Sequence, residues 1–170
     1  ASIWSPVSKH ISSPSKIKLS DLIADIRDDL QPVYENLTNS PILAVRQLIG
    51  RGVGLTPEGD DILAGFLAGF HQASDSQLLQ SMRSEIQKRA IKTTDVSRQM
   101  LLDASEGHFI EPIVNFISAL YGVGNLKIAT HNLISVGSSS GPAMILGAVV
   151  AVAMKEKYIL ASNSTQFKAS

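Results

Sequence analysis

Apolar residues recur at helical spacing through most of this chain. From Ser20, a residue type suited to an N-cap, Leu22, Ile23, Ile26, Leu30, Val33, Tyr34 and Leu37 form one stripe, with Asp21, Asp25, Asp28 and Asp29 opposite. Pro32 should kink or split that helix, because its ring removes a hydrogen-bond donor and crowds the preceding turn. Ser40 and Pro41 predict a second helix, Ile42 to Leu48, with Ser40 capping and Pro41 at the first helical position. After the glycine-rich stretch Gly50 to Gly59, the period resumes through Ile62, Leu63, Phe66, Leu67 and Phe70, and again over Leu78 to Ile91. Thr93-Thr94-Asp95 reads as the cap of a helix that carries Met100, Leu101, Leu102 and Ala104 and stops at Gly107. Ile110 to Tyr121 and Leu126 to Val136 follow, closed by Gly122 and Gly137, and a hydrophobic helix runs from the turn at Gly137 to Pro142 on to about Tyr158.

Seven or eight helices result, without convincing strand alternation, which predicts an all-α fold in a single compact domain. Residues 1–18, rich in Ser and Pro with Trp4 as their one anchor, read as a linker or incoming loop. Residues 19–160 form the expected helical domain and 161–170 a flexible tail. The chain opens on Ala1-Ser2-Ile3-Trp4, without an initiating Met or a signal pattern, as expected for the C-terminal part of a longer protein.

Composition narrows the function classes. With 170 residues, 44% hydrophobic and a formal net charge of zero, the chain can bury a core of its own and is not expected to be disordered. Neutrality without a Lys/Arg cluster argues against a nucleic-acid surface. The longest nearly uninterrupted apolar run, Ala143 to Met154, is shorter than the roughly 18 residues a spanning helix needs, so it reads as a buried core helix and no membrane is implied. There is no cysteine, which excludes a disulfide framework, a thiolate zinc site and a cysteine nucleophile. A cytoplasmic enzyme acting on a small molecule is the default expectation.

Two loops carry candidate chemistry. In the first, Gly50 to Asp61, alternate glycines allow positive φ and close approach to a ligand. Thr56-Pro57 marks a helix start, with Thr56 capping and Pro57 in the first turn. Amides at such a start can hold an anion, and Gly52, Gly54, Thr56 and Gly59 are the candidate phosphate-binding or substrate-binding positions. Glu58, Asp60 and Asp61 would repel a bare phosphate, and a divalent ion such as Mg²⁺ would reconcile them, with Asp60 and Asp61 as its ligands and as the candidate catalytic pair. Acidic residues in a first turn also simply complement the helix dipole, which is the better account of Glu58. In the second loop Ser139, Ser140 and Gly141 offer hydroxyls and helix-start amides to the same oxyanion, although either serine can equally be an N-cap. Thr94 and Ser97 can add hydroxyls, although with Thr93 they also fit a capping arrangement. His108 and Glu111 have a metal-binding spacing but fit a solvent-facing helix start better. The glycines at 65, 69 and 147 read as points of close helix packing.

The run Leu48 to Gly65, with its Gly-Leu-Thr-Pro-Glu-Gly-Asp-Asp centre, resembles the signature of the AllH-type family, long described as a domain of unknown function. Thr93-Thr94 with Ser97, and Ser139-Ser140-Gly141 before an apolar helix containing Gly147, follow in the order that family has. The resemblance covers roughly residues 40–155. It departs at Ser138 and Ala143, where the family often carries His and Asp. The resemblance implies a subunit of oxamate carbamoyltransferase, moving a carbamoyl group between oxalurate and phosphate in allantoin breakdown, with FdrA-type partner subunits. On that basis the two loops would bind a small anionic substrate or phosphate. Two other classes compete: a Mg²⁺-dependent all-α hydrolase of the ADP-ribosylglycohydrolase type, which also places paired aspartates at helix starts, and a non-catalytic assembly or regulatory subunit.

Overall fold

The computed structural model describes residues 31–71 and 77–167. Eight α-helices make up these residues, with no strand among them, as the periodicity predicts: α1 Gln31–Asn39, α2 Pro41–Leu48, α3 Glu58–Phe70, α4 Gln77–Arg89, α5 Asp95–Ser105, α6 Glu111–Leu120, α7 Leu126–Ile134 and α8 Ser140–Phe167. A single 3₁₀ turn, Ala90–Lys92, links α4 to α5. The expected linker over 1–18, the anchor Trp4 and the helix start at Ser20 lie outside the described residues. Pro32 lies in α1, next to the edge of the described residues. At the other end α8 passes the expected end at Tyr158 and continues to Phe167, since no Gly or Pro follows Gly147 to stop it. No helix among the described residues is long and apolar enough to cross a membrane.

The fold is built around α3 and α8. Every residue of α3 from Gly59 to Phe70 is buried, which a helix tolerates only when it is surrounded. The segment Ala143 to Met154 of α8 lies beside it, buried except for partial exposure of Ile145 and Leu146. Small residues bring the two backbones together. A Cβ added at Gly65 would lie 2.0 Å from the Met144 carbonyl oxygen, and one at Gly147 would lie 1.9 Å from that of Ile62. Further along, a Cβ at Gly69 would meet Ala148 and Ala151 at under 3 Å. Contacts between 56 and 140, 65 and 144, and 69 and 151 advance together, so the helices run parallel and their N-termini lie side by side. The glycines at 65, 69 and 147 are thus packing residues, as their spacing on one face predicts.

The other helices wrap this pair on two sides. Val33, Val45, Leu48, Leu79, Met82, Ile86 and Leu101 from α1, α2, α4 and α5 meet Phe66, Leu67 and Phe70 in one cluster. Ile113, Phe116, Ile117, Leu120 and Leu133 from α6 and α7 meet Ala148, Val149 and Val152 in the other. Glu85 of α4 accepts from Arg46 Nε of α2 at 2.8 Å and from Arg89 Nε, one turn along its own helix, so the outer helices are clipped by charge as well as by burial.

Gly147→Ala should therefore cost about 3 kcal/mol in urea unfolding, because the backbones must part to admit one methyl group. Gly122→Ala is the control: Gly122 has φ +84° and open space around it, so only the backbone penalty of about 1 kcal/mol applies. Equal losses at the two positions would contradict the close approach of α3 and α8.

Candidate functional site

The loop between α2 and α3 owes its shape to three glycines. Gly50, Gly52 and Gly54 have φ of +75°, +121° and +90°, the alternate positive values expected from the sequence. Two of them also sit against backbone: a Cβ at Gly50 would meet the Lys92 carbonyl at 2.7 Å, and one at Gly52 the Glu58 nitrogen at 2.7 Å. The loop folds back on α3, with the Gly59 N–H donating to Arg51 O at 2.8 Å.

Asp60 pins this loop. Its carboxylate is fully buried and accepts three hydrogen bonds: from the Gly50 N–H at 2.9 Å, from the Ser97 hydroxyl at 2.6 Å and from the Thr93 hydroxyl. Thr94 caps α5, accepting from the Ser97 N–H at 3.1 Å, and donates to Leu55 O. The hydroxyls of Thr93, Thr94 and Ser97 therefore hold the α5 start to the α3 start. A buried carboxylate with three donors is a satisfied group.

Asp61 is the opposite case. It too has no exposed surface, yet neither carboxylate oxygen has a hydrogen-bond partner. Burial pushes its pKa up from 3.8 to about 6; the neighbouring Ser140 and Thr56 hydroxyls pull it partly back, and the charges of Asp60 and Glu58 push it further up. Those two hydroxyls lie beside the carboxyl and within hydrogen-bond distance of each other, Thr56 Oγ1 to Ser140 Oγ at 3.0 Å; that bond takes only one of their two protons. The glycine-rich loop and the serine turn thus meet at one point, where the N-termini of α3 and α8 adjoin. Thr56 and Ser140 are partly exposed, so the cluster reaches solvent.

The remaining residues singled out in the sequence lie around this point. Adjacent positions on a helix are turned about 100° from each other, and Asp60 faces the start of α5 while Asp61 lies beside Ser140 of α8. Among the described residues no three His, Asp or Glu side chains gather as a metal site. Gly141 packs against α7, where a Cβ would fall 1.9 Å from Leu133 O, and its N–H donates to Val136 O. Gly54 and Ser139 are exposed. The amides of Gly59, Asp60 and Asp61 are taken by Arg51 O and Pro57 O, so the first turn of α3 does not present them to a ligand. The cap expected at Thr56 is one residue off: Pro57, with φ −53° and ψ +140°, occupies the N-cap position, which leaves the Thr56 hydroxyl free to reach Ser140. One turn deeper, Ala64 and Met144 line a largely apolar cavity of about 550 Å³ with Asp103, His108, Phe109 and Glu111 on its wall. His108 and Glu111 are exposed, as their positions at a helix start predict, and also line this cavity.

The family model for oxamate carbamoyltransferase subunit AllH matches residues 48–152, more than half of the chain, and the chain belongs to that family. The match spans the glycine-rich loop, α3, the α5 start and the first turns of α8. No solved structure matches the chain.

The two aspartates should respond oppositely to substitution. Asp60→Ala strands the Gly50 N–H and two hydroxyls and should cost about 3 kcal/mol. Asp61→Asn removes a buried unpaired charge and should raise stability above pH 7 by about 2 kcal/mol. The sign follows from linkage: the folded pKa lies above the unfolded one, so the contribution of Asp61 is favourable below about pH 3.8 and is lost as pH rises through about 6. Urea unfolding of wild type and Asp61→Asn across that window should give curves that diverge with rising pH. Parallel curves would mean that Asp61 has a partner.

Proposed function

We propose that this member of the oxamate carbamoyltransferase subunit AllH family binds its small anionic substrate at the Thr56–Asp61–Ser140 cluster and takes a direct part in carbamoyl transfer. The reading rests on one observation, the buried carboxyl of Asp61 left without a partner where two loops meet. A fold does not leave such a group open without cost, and unsatisfied buried polar atoms gather where a ligand completes them. Carbamoyl transfer between oxalurate and phosphate develops negative charge on oxygen, and the paired N-termini of α3 and α8 supply positive potential beside the cluster. In this reading Thr56, Asp61 and Ser140 contact the substrate, while Asp60, Thr94 and Ser97 are positioning residues that fix the loop.

The loop rim supports FdrA-type partner subunits seated close by. Val53 is 93% exposed and Leu55 73%, and Ile91 and Val96 stand exposed on either side of the Thr94 that holds Leu55. Apolar side chains so exposed around a polar cluster suit a surface that another subunit covers.

Reconstitution with the partner subunits tests both parts. Ser140→Ala and Asp61→Asn should assemble normally and lower the carbamoyl-transfer rate by about 10²-fold or more, as expected for groups that touch the reacting molecule. Full activity in both assembled variants would refute a direct role. Activity lost only together with assembly would assign the subunit a structural part.

A further inference from the structure

An open carboxyl selects what can complete it, and its surroundings narrow the choice. A phosphate or carboxylate oxygen placed against Asp61 would meet like charge, reinforced by Glu58 and Asp60 in the same helical turn. A cation would meet the positive ends of α3 and α8, which adjoin at this point. A divalent ion would also need further oxygen ligands, and the neighbouring carboxylate of Asp60 is engaged by three donors. A neutral group with N–H donors meets neither objection. A primary amide presents two N–H bonds to accepting oxygens and a carbonyl oxygen to donors, and the hydroxyls of Thr56 and Ser140, 3.0 Å apart, stand beside Asp61 as donors.

We infer that Asp61 is the specificity-determining residue of this cluster, and that its carboxylate accepts from the NH₂ of a primary amide or ureido group while Thr56 or Ser140 donates to that group's carbonyl oxygen. The inference rests on the cluster being the ligand site and goes beyond it by fixing which end of the ligand is read. A charged end of the same molecule is directed away from the Asp61 carboxylate, which repels it.

Oxamate and oxalate separate these possibilities, because they share one frame and differ only in NH₂ against a carboxylate oxygen. Each is titrated into the folded chain in a metal-free buffer, alone and assembled with its partner subunits, with inorganic phosphate as the third ligand. Calorimetry gives the affinities, and the backbone amide resonances of Thr56 and Ser140 in the chain alone locate the site. Oxamate should bind about tenfold more tightly than oxalate, the worth of a hydrogen bond to a charged acceptor, and Asp61→Asn should erase that preference. Oxamate affinity should also rise as pH increases through about 6, since the ionised carboxyl is the acceptor, with Glu58 and Asp60 as the charged neighbours acting on it. Oxalate or phosphate that shifts the same resonances with equal or greater affinity would overturn the inference and leave the site in place. If none of the three disturbs Thr56 or Ser140, and Asp61→Asn changes no affinity, the site reading falls with it.

Discussion

The contact on which the structure depends is the backbone approach of α3 to α8. Met144 O lies where a side chain at residue 65 would begin, and Ile62 O lies where one at residue 147 would begin. No residue larger than glycine fits either place without parting the helices. Because the two helices run parallel, the same approach sets their N-termini side by side and brings Thr56 to Ser140. Antiparallel neighbours would put these residues at opposite ends of the molecule. The packing of the core and the geometry of the cluster therefore have one cause.

The same pair explains why two adjacent carboxylates have different fates. Parallel helix starts create a region of positive potential that eases the burial of negative charge. Asp60 looks away from α8 into a socket of three donors, so its charge is held by hydrogen bonds. Asp61 looks toward the start of α8, where the Ser140 and Thr56 hydroxyls only partly offset the burial that pushes its pKa up to about 6. One carboxylate holds the loop, and the other is buried with neither oxygen hydrogen-bonded within ordinary geometry. The division of labour comes from about 100° of helical turn rather than from any difference in residue type.

Much of this was legible in the sequence. Helix spacing fixed the all-α class, and Gly65, Gly69 and Gly147 announced close packing because small residues on one helical face have little other use. The motif carried the family. Thr94 was readable as a cap. Less legible was anything that depends on which way a side chain turns. Nothing in Gly-Asp-Asp says that Asp60 is held by donors at the start of α5 while Asp61 lies beside Ser140, because the positions of α5 and α8 decide that. Thr56 looks like a cap, yet the extended ψ of Pro57 delays the helix by one residue and gives that hydroxyl to Ser140. Ser40 holds the N-cap position expected of it but makes no side-chain cap bond, so propensity located that helix start without supplying its hydrogen bond. Gly59 and Gly141 read as ligand-facing, while their neighbours Leu48 O and Leu133 O make them packing positions. Only tertiary contacts could reveal that.

The central claim is that Asp61 is a buried carboxyl without a protein partner, kept open for a ligand's N–H group. Its own titration, followed through the side-chain carboxyl carbon by NMR, tests that claim most directly. A midpoint near 6 that falls when oxamate is added is the predicted result, because an N–H donor favours the ionised form. A midpoint at the ordinary value near 3.8, unmoved by oxamate, would contradict it.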